Sequence, residues 1–240
     1  MEDKDDLFKL ILGLPKDDTT SEPYFDFHRK STLQMGLQVA RLLYAWMNDN
    51  PSSGQFFSGR NKVKIAKCFE QEGIQVPTED GFYMTSLLLY LNCLEQIGSL
   101  FEDDEHGINR AVNEFHNKRT NRKLDEVTED ELTAIRNLRN SLAHNLGLVN
   151  INPKTKEATH KYTLEFTYKS GSRIVDLPPI PFNGDYTDKM EETSVKIYVP
   201  ALIEMVEGVI AEVQNRFKSG TLKPDESRFS EIQTRFTIRC

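Results

Sequence analysis

Cysteine and tryptophan are scarce in this chain, and the usual cofactor signatures are missing altogether. Its 240 residues hold three cysteines, Cys68, Cys93 and Cys240, and a single tryptophan. An odd, scattered set without C-x-x-C spacing argues against a disulfide framework and a zinc site, and fits a reducing cytoplasm as the expected location. No G-x-x-x-x-G-K-[ST], G-x-G-x-x-G, H-E-x-x-H or G-x-S-x-G occurs. Phosphate-loop, dinucleotide, zinc-protease and serine-hydrolase chemistry therefore have no foothold, and neither cofactor nor metal is expected.

Long apolar runs are lacking as well. The opening MEDKDDLFKLILGLPKDD is acidic, and its apolar stretch is far short of a membrane span. No signal peptide, membrane helix or membrane partner is expected. Internal repeats and low-complexity tracts are absent. Positive charge is in deficit, with a formal net charge of −7, which disfavours indiscriminate binding to a polyanion but leaves room for a local basic site. With 38% hydrophobic and 28% charged residues the chain is nonetheless apolar enough to fold.

What is present is mostly helical periodicity. A first helix is expected over 5–12, stopped by Gly13 and Pro15. A long one spans 27–47 on Leu33, Leu37, Ala40, Tyr44 and Met47, and Asn48 to Gly54 breaks it. Val63–Phe69 reads as a short amphipathic piece. Phe82–Phe101 is apolar nearly all round and is the expected central helix. A helix over 105–118 follows, weakened at its start by Gly107. Four acids, Glu102 to Glu105, run into His106 and read as an exposed helix start rather than a cation site.

The clearest start signal is Thr128-Glu129-Asp130-Glu131, a capping box with acids in the first turn. Leu132, Ile135, Leu138 and Leu142 follow on one side, and Asn145 with Gly147 supply the stop. Then the period changes to two. Tyr162, Leu164, Phe166 and Tyr168 alternate with polar residues as a half-buried strand. Lys169-Ser170-Gly171-Ser172 turns the chain, 173–177 returns, and 146–151 is a candidate third strand. Val199–Phe217 resumes helical spacing. The expected architecture is mainly α: one helical domain over 1–217, with a small antiparallel β-hairpin or three-stranded insertion at about 146–177 before the last long helix. A polar C-terminal tail, 218–240, is left unassigned.

One heptad, Arg139-Asn140-Ser141-Leu142-Ala143-His144-Asn145, brings phosphate-binding and proton-transferring groups to a helix end. At about 100° per residue, Arg136, Asn140 and His144 form one stripe, so Asn140 is expected to hydrogen-bond His144 one turn away. Arg139 lies about 60° from Arg136, inside the arc of Leu132, Ile135, Leu138 and Leu142. A guanidinium in an apolar stripe is costly unless it meets an anion, a partner chain or water. Upstream, Arg110, Lys118, Arg119, Arg122 and Lys123 face the single acid Glu114 and, with Arg136, are candidates to track an RNA backbone. A second arginine–histidine pair, Arg110 and His116, has Ala111 after its arginine and no comparable helix end.

R-N-S-L-A-H, with a polar residue directly after the arginine, resembles the R-φ-x(3–5)-H signature of HEPN domains. The resemblance covers the motif helix closely and its neighbours loosely, about 27–217 with the β element as an insertion. It implies an up-down helical bundle, homodimeric, performing metal-independent RNA cleavage. His144 would be the general acid/base, Arg139 would stabilise charge on the phosphate, and Asn140 would orient His144 or the phosphate. A toxin or an antiphage effector is the implied setting. The nucleotidyltransferase pattern often encoded beside HEPN proteins is not in this sequence, so such a partner, or an antitoxin, would be a separate chain. On a straight helix Arg139 and His144 stand about 140° apart, which calls for a composite cleft across a twofold interface. Two alternatives stay open: a catalytically silent HEPN-like module for RNA, nucleotide or protein, and a plain helical scaffold in which His144 complements the helix dipole.

Overall fold

The computed structural model describes residues 4–15, 29–48, 79–101, 106–119, 126–145, 147–152, 154–166, 173–185, 187–223 and 226–239. Val63–Phe69, the acidic run Glu102–Glu105, Arg122, Lys123, Tyr168 and the 170–172 turn lie outside them. The described residues are mainly helical with small sheets.

Helix α1 (Lys4–Leu12) ends at Gly13, whose φ of +66° is the left-handed cap that glycine adopts most cheaply. Strand β1 (Arg29–Ser31) leads into α2 (Thr32–Asn48), so the long helix begins five residues later than its periodicity proposes. Arg29–Ser31 are extended because they pair with β6 (Thr237–Arg239).

Helix α3 (Glu79–Phe101) is the hub. Leu87, Tyr90, Leu91, Leu94, Ile97 and Leu100 are all at most 2% exposed, consistent with its nearly all-round apolarity. Helices α2, α4 (Gly107–Val112), α5 (Glu129–Asn145) and α6 (Val199–Lys218) pack around it. Arg41 of α2 grips Glu207 of α6 through Nε at 2.7 Å, and the Tyr90 hydroxyl donates to the same carboxylate at 3.0 Å, tying three helices together.

Gly107 does more than weaken a helix start. A Cβ there would lie 2.3 Å from the Glu95 carbonyl oxygen, and one on Gly98 would lie 1.8 Å from the Gly107 oxygen. Two glycines thus let the backbones of α3 and α4 touch. Helix α4 continues as a π-helical segment, Asn113–Asn117, before the chain turns toward α5.

The capping box forms as its sequence proposes. The Thr128 backbone N–H donates to Glu131 Oε2 at 2.7 Å, and the Glu131 N–H donates back to Thr128 Oγ1 at 3.4 Å. Leu132, Ile135, Leu138 and Leu142 are buried to within 1%.

The β element differs from the expected hairpin. Strands β2 (Val149–Ile151), β3 (Ala158–Glu165), β4 (Val175–Asp176) and β5 (Val195–Tyr198) form a sheet in the order β2-β3-β5-β4. β2 and β3 are antiparallel, but the returning strand β4 pairs with β5, and β5 runs parallel to β3. The four-residue β5 feeds directly into α6 with a proline in its first turn, so its short alternation is hidden in the helix that follows. Tyr162 points from β3 into the helical layer and donates its hydroxyl to the Ala134 carbonyl at 2.9 Å. Phe166, expected inside, stands beyond the strand end at 40% exposure and packs on Tyr83.

The C-terminal stretch also gains structure. Helix α7 (Phe229–Phe236) buries Ile232 and Phe236 completely and hands the chain to β6. Phe229, Ile232 and Phe236 recur at helical spacing, a signal present within an otherwise polar tail. No helix among the described residues is long and apolar enough to cross a membrane.

Candidate functional site

The motif occupies the last turns of α5, and its six side chains divide into scaffold and surface. Ser141 is fully buried, and its hydroxyl lies 2.6 Å from the Gly147 carbonyl oxygen and 2.8 Å from that of Val149. It fastens the helix end to β2. Leu142 belongs to the core. Arg139, Asn140 and His144 are left for chemistry.

Arg139 reaches across to α3. Its Nε donates to Asn92 Oδ1 at 3.1 Å and stands 2.8 Å from Glu95 Oε2. Its Nη1 donates to Asn140 Oδ1 at 3.2 Å. The cost of a guanidinium on the apolar arc is therefore met inside the chain by a carboxylate and two amides. Nη2 has no hydrogen-bond acceptor among the described residues. The side chain is 26% exposed and lines a groove of about 400 Å³ with Thr32, Asn92, Glu95, Gln96 and Arg235. Arg235, from the C-terminal helix, brings a second guanidinium to the same walls.

His144 is exposed and stands outside that groove. Asn140 engages Arg139 and not His144, a correction to the expected stripe: the guanidinium fork wins the amide oxygen because a charge-assisted bond is stronger than a neutral one. Within one chain, then, Arg139 and His144 are not brought together, as their separation around the helix requires.

The remaining basic candidates scatter. Arg136 is half-buried on α5. Arg110 and Lys118 line a second groove of about 400 Å³, together with His106, Asn109, Asn113, Glu114 and Glu129, at the far end of α5 from His144. Lys118 pairs with Glu114, which also receives Arg216 Nη1 at 2.9 Å. Partial burial pushes the Glu114 carboxyl up, and the hydrogen bonds from Lys118 and Arg216 more than reverse this, leaving it below its ordinary value. Arg119 is exposed and its guanidinium reaches toward Gly208 of α6. Arg122 and Lys123 lie outside the described residues.

Two features were not anticipated from sequence. Asn92 and Glu95 sit in a helix read as apolar all round, yet they set the environment of Arg139. Their polar spacing of three in an apolar run was the available sign. The second is an amide series, Asn109, Asn113 and Asn117, at four-residue spacing along α4 and its π-helical extension. Asn117 binds the Val127 backbone at both ends, donating to its oxygen and accepting from its nitrogen at 2.9 Å each, and pins the entry to α5.

His160 of β3 stands beside the motif helix, with Nδ1 3.2 Å from the Asn137 amide nitrogen. Burial lowers its pKa below the ordinary histidine value. Cys93 lines the Arg139 groove, but burial pushes its thiol up to about 12, which removes it as a nucleophile. Comparison with known proteins adds no relative: no family model, curated protein or solved structure matches the chain.

Proposed function

We propose that this chain is a HEPN-like, metal-independent endoribonuclease that works as a cytoplasmic homodimer, in the setting of a toxin or an antiphage effector. The observation that supports the reading is that the last turns of α5 present a guanidinium and an imidazole on different sides of one helix. Arg139 lines an open groove with Nη2 uncommitted among the described residues, and His144 is exposed. Because the two face different directions on one helix, the active cleft is composite, with Arg139 from one copy and His144 from the other across an isologous contact.

The chemistry follows from the groups. The His144 imidazole takes the proton of a ribose 2′-OH as the oxygen attacks the adjacent phosphorus. The 5′-oxygen of the next nucleotide leaves and takes up a proton from solvent, to which His144 returns the one it took, giving a 2′,3′-cyclic phosphate and a free 5′-hydroxyl. Arg139 stabilises the charge that builds on the phosphorane oxygens. Asn92, Glu95 and Asn140 hold its Nε and Nη1, so the guanidinium meets phosphate already oriented through Nη2.

The test is purified protein on structured RNA in excess chelator, with the product ends analysed for cyclic phosphate. Cleavage that is lost in both Arg139→Ala and His144→Ala is the expected result. If both variants cut as well as the parent, the assignment is wrong.

A second reading is favoured by the Arg139–Glu95 ion pair, which neutralises the guanidinium within the chain. On that reading the protein is a non-catalytic HEPN-like module that binds RNA, nucleotide or protein. RNA binding without cleavage, lost when Lys118, Arg119 and Arg122 are replaced, would favour it.

A further inference from the structure

The groove at the N-terminal end of α5 holds two acids, Glu114, engaged by Lys118 and Arg216, and the exposed Glu129. Glu129 Oε1 accepts from Asn113 Nδ2 at 3.1 Å, and Oε2 accepts from Asn109 Nδ2 at 3.4 Å. Asn113 is oriented in turn, because its Oδ1 accepts from Asn117 Nδ2 at 2.8 Å. Asn117 is locked by its two bonds to the Val127 backbone. Every amide in the series points its nitrogen toward the next acceptor, and the series ends on Glu129. A carboxylate that merely solvates a surface needs no such support. This one is held in a fixed orientation inside a cleft of about 400 Å³, within the range of about 300–1,000 Å³ usual for small-ligand sites.

The chemistry of that cleft is selective. A carboxylate offers about four lone-pair sites, so with one amide on each oxygen Glu129 keeps an acceptor site on both. Asn109 turns its nitrogen to Glu129 and its Oδ1 into the protein, so the acceptors open to the groove on this wall are those of the carboxylate. The Glu129 wall of the groove therefore asks for a ligand edge with adjacent donors, while Arg110 and Lys118 bring positive charge to the same lining. Among the four RNA bases only guanine has one, its N1–H beside its N2 amino group; adenine, cytosine and uracil mix donors with acceptors. Lys118 borders the groove with its side chain 69% exposed; its partner among the described residues is Glu114 of the same lining, which Arg216 also holds, so Lys118 is readily exchanged onto a phosphate.

We propose that this groove is a guanine-reading exosite for single-stranded RNA, with the Glu129 carboxylate on the base's N1–H and N2–H edge and Lys118 on a neighbouring phosphate. The assignment takes its ligand class from the RNA reading above but uses neither Arg139 nor His144. Glu129 precedes Arg139 by ten residues and His144 by fifteen. At 1.5 Å per residue these are about 15 and about 22 Å along the helix axis, so the exosite holds a guanine a few nucleotides from the phosphate under attack.

The experiment is fluorescence anisotropy of the full chain with labelled 2′-O-methyl heptamers, UUUGUUU, UUUAUUU and UUUIUUU, where inosine lacks only the N2 amino group. The 2′-O-methyl group blocks cleavage, so binding is read whatever the fate of the nuclease proposal. Guanine is expected to bind about tenfold tighter than inosine or adenine. Glu129→Gln removes that preference, and Lys118→Gln weakens all three alike and lowers the salt slope by about 0.7. Equal binding of the three heptamers by the parent, no binding of any, or a guanine preference that survives Glu129→Gln overturns the exosite. Guanine preference without cleavage of unmodified RNA fails only the nuclease reading. Cleavage with no Glu129-dependent preference fails only this one.

Discussion

Arg139 and Glu95, 44 positions apart in sequence, meet across the seam between α3 and α5 with Nε 2.8 Å from Oε2. That contact gives Arg139 two roles at once. It satisfies a guanidinium on the apolar side of a helix, and it sets a carboxylate where an RNA phosphate would have to compete. Both groups are about a third exposed or less, so solvent screens the pair and its net contribution is about 1 kcal/mol or below. Glu95→Gln is therefore expected to leave the urea midpoint nearly unchanged while tightening RNA binding severalfold. Unchanged RNA affinity would mean that Arg139 does not meet phosphate.

Arg139→Lys separates charge from shape. Lysine keeps the positive charge but cannot donate to Asn92, Asn140 and a phosphate through one planar fork. Cleavage is expected to fall at least about tenfold with little loss of RNA affinity, a kcat effect in single-turnover kinetics. A lysine variant as active as the parent would reduce the role of Arg139 to charge alone.

The glycine contact between α3 and α4 admits no side chain. Gly98→Ala puts a methyl group 1.8 Å from a backbone oxygen, and neither helix can retreat without opening the core around Leu94 and Ile97. The expected cost is about 3 kcal/mol or more, read as a lowered urea midpoint or loss of soluble protein. A stability equal to the parent's would contradict the backbone approach.

Removing the cap tests the start of the motif helix. Thr128→Ala loses the hydroxyl on the Glu131 N–H and is expected to cost about 1 kcal/mol. In a chain of this length that corresponds to a melting temperature lower by roughly 2–4 °C. Asn117→Ala, which strips two bonds from the Val127 backbone, should cost more, about 2 kcal/mol.

His160 gives the fold an acid sensitivity. Burial holds its folded pKa below the unfolded value of about 6.5, so the unfolded chain binds the extra proton first. Stability is then lost as pH falls below about 6.5, and this loss levels off once pH passes the folded value. Urea midpoints at pH 7.5 and 5.5 should differ less in His160→Gln than in the parent. A two-dimensional NMR titration of the ring gives the folded value directly.

What could be read from sequence was local. The capping box at Thr128–Glu131 and the arc from Leu132 to Leu142 each lie within a few turns, and both appear where their spacing puts them. The same holds for the long helices, whose apolar faces repeat many times. What escaped depends on distant partners. β1 is a strand only because β6 lies beside it, and β5 is too short to show alternation before α6 begins. Asn140 was matched to its neighbour His144, whereas the guanidinium next to it, already steered by Asn92 and Glu95 from another helix, takes its oxygen. The amide series from Asn109 to Asn117 shows as spacing but not as purpose, since its target, Glu129, comes after an intervening turn.

The composite cleft is tested most directly by complementation. Arg139→Ala and His144→Ala proteins, each inactive alone, are mixed under conditions that exchange subunits, and metal-free RNA cleavage is measured. Random exchange makes about half of the dimers mixed, each with one intact site, so about a quarter of the parent's activity should return. A mixture as silent as its two components, with subunit exchange verified, would contradict a site shared between copies.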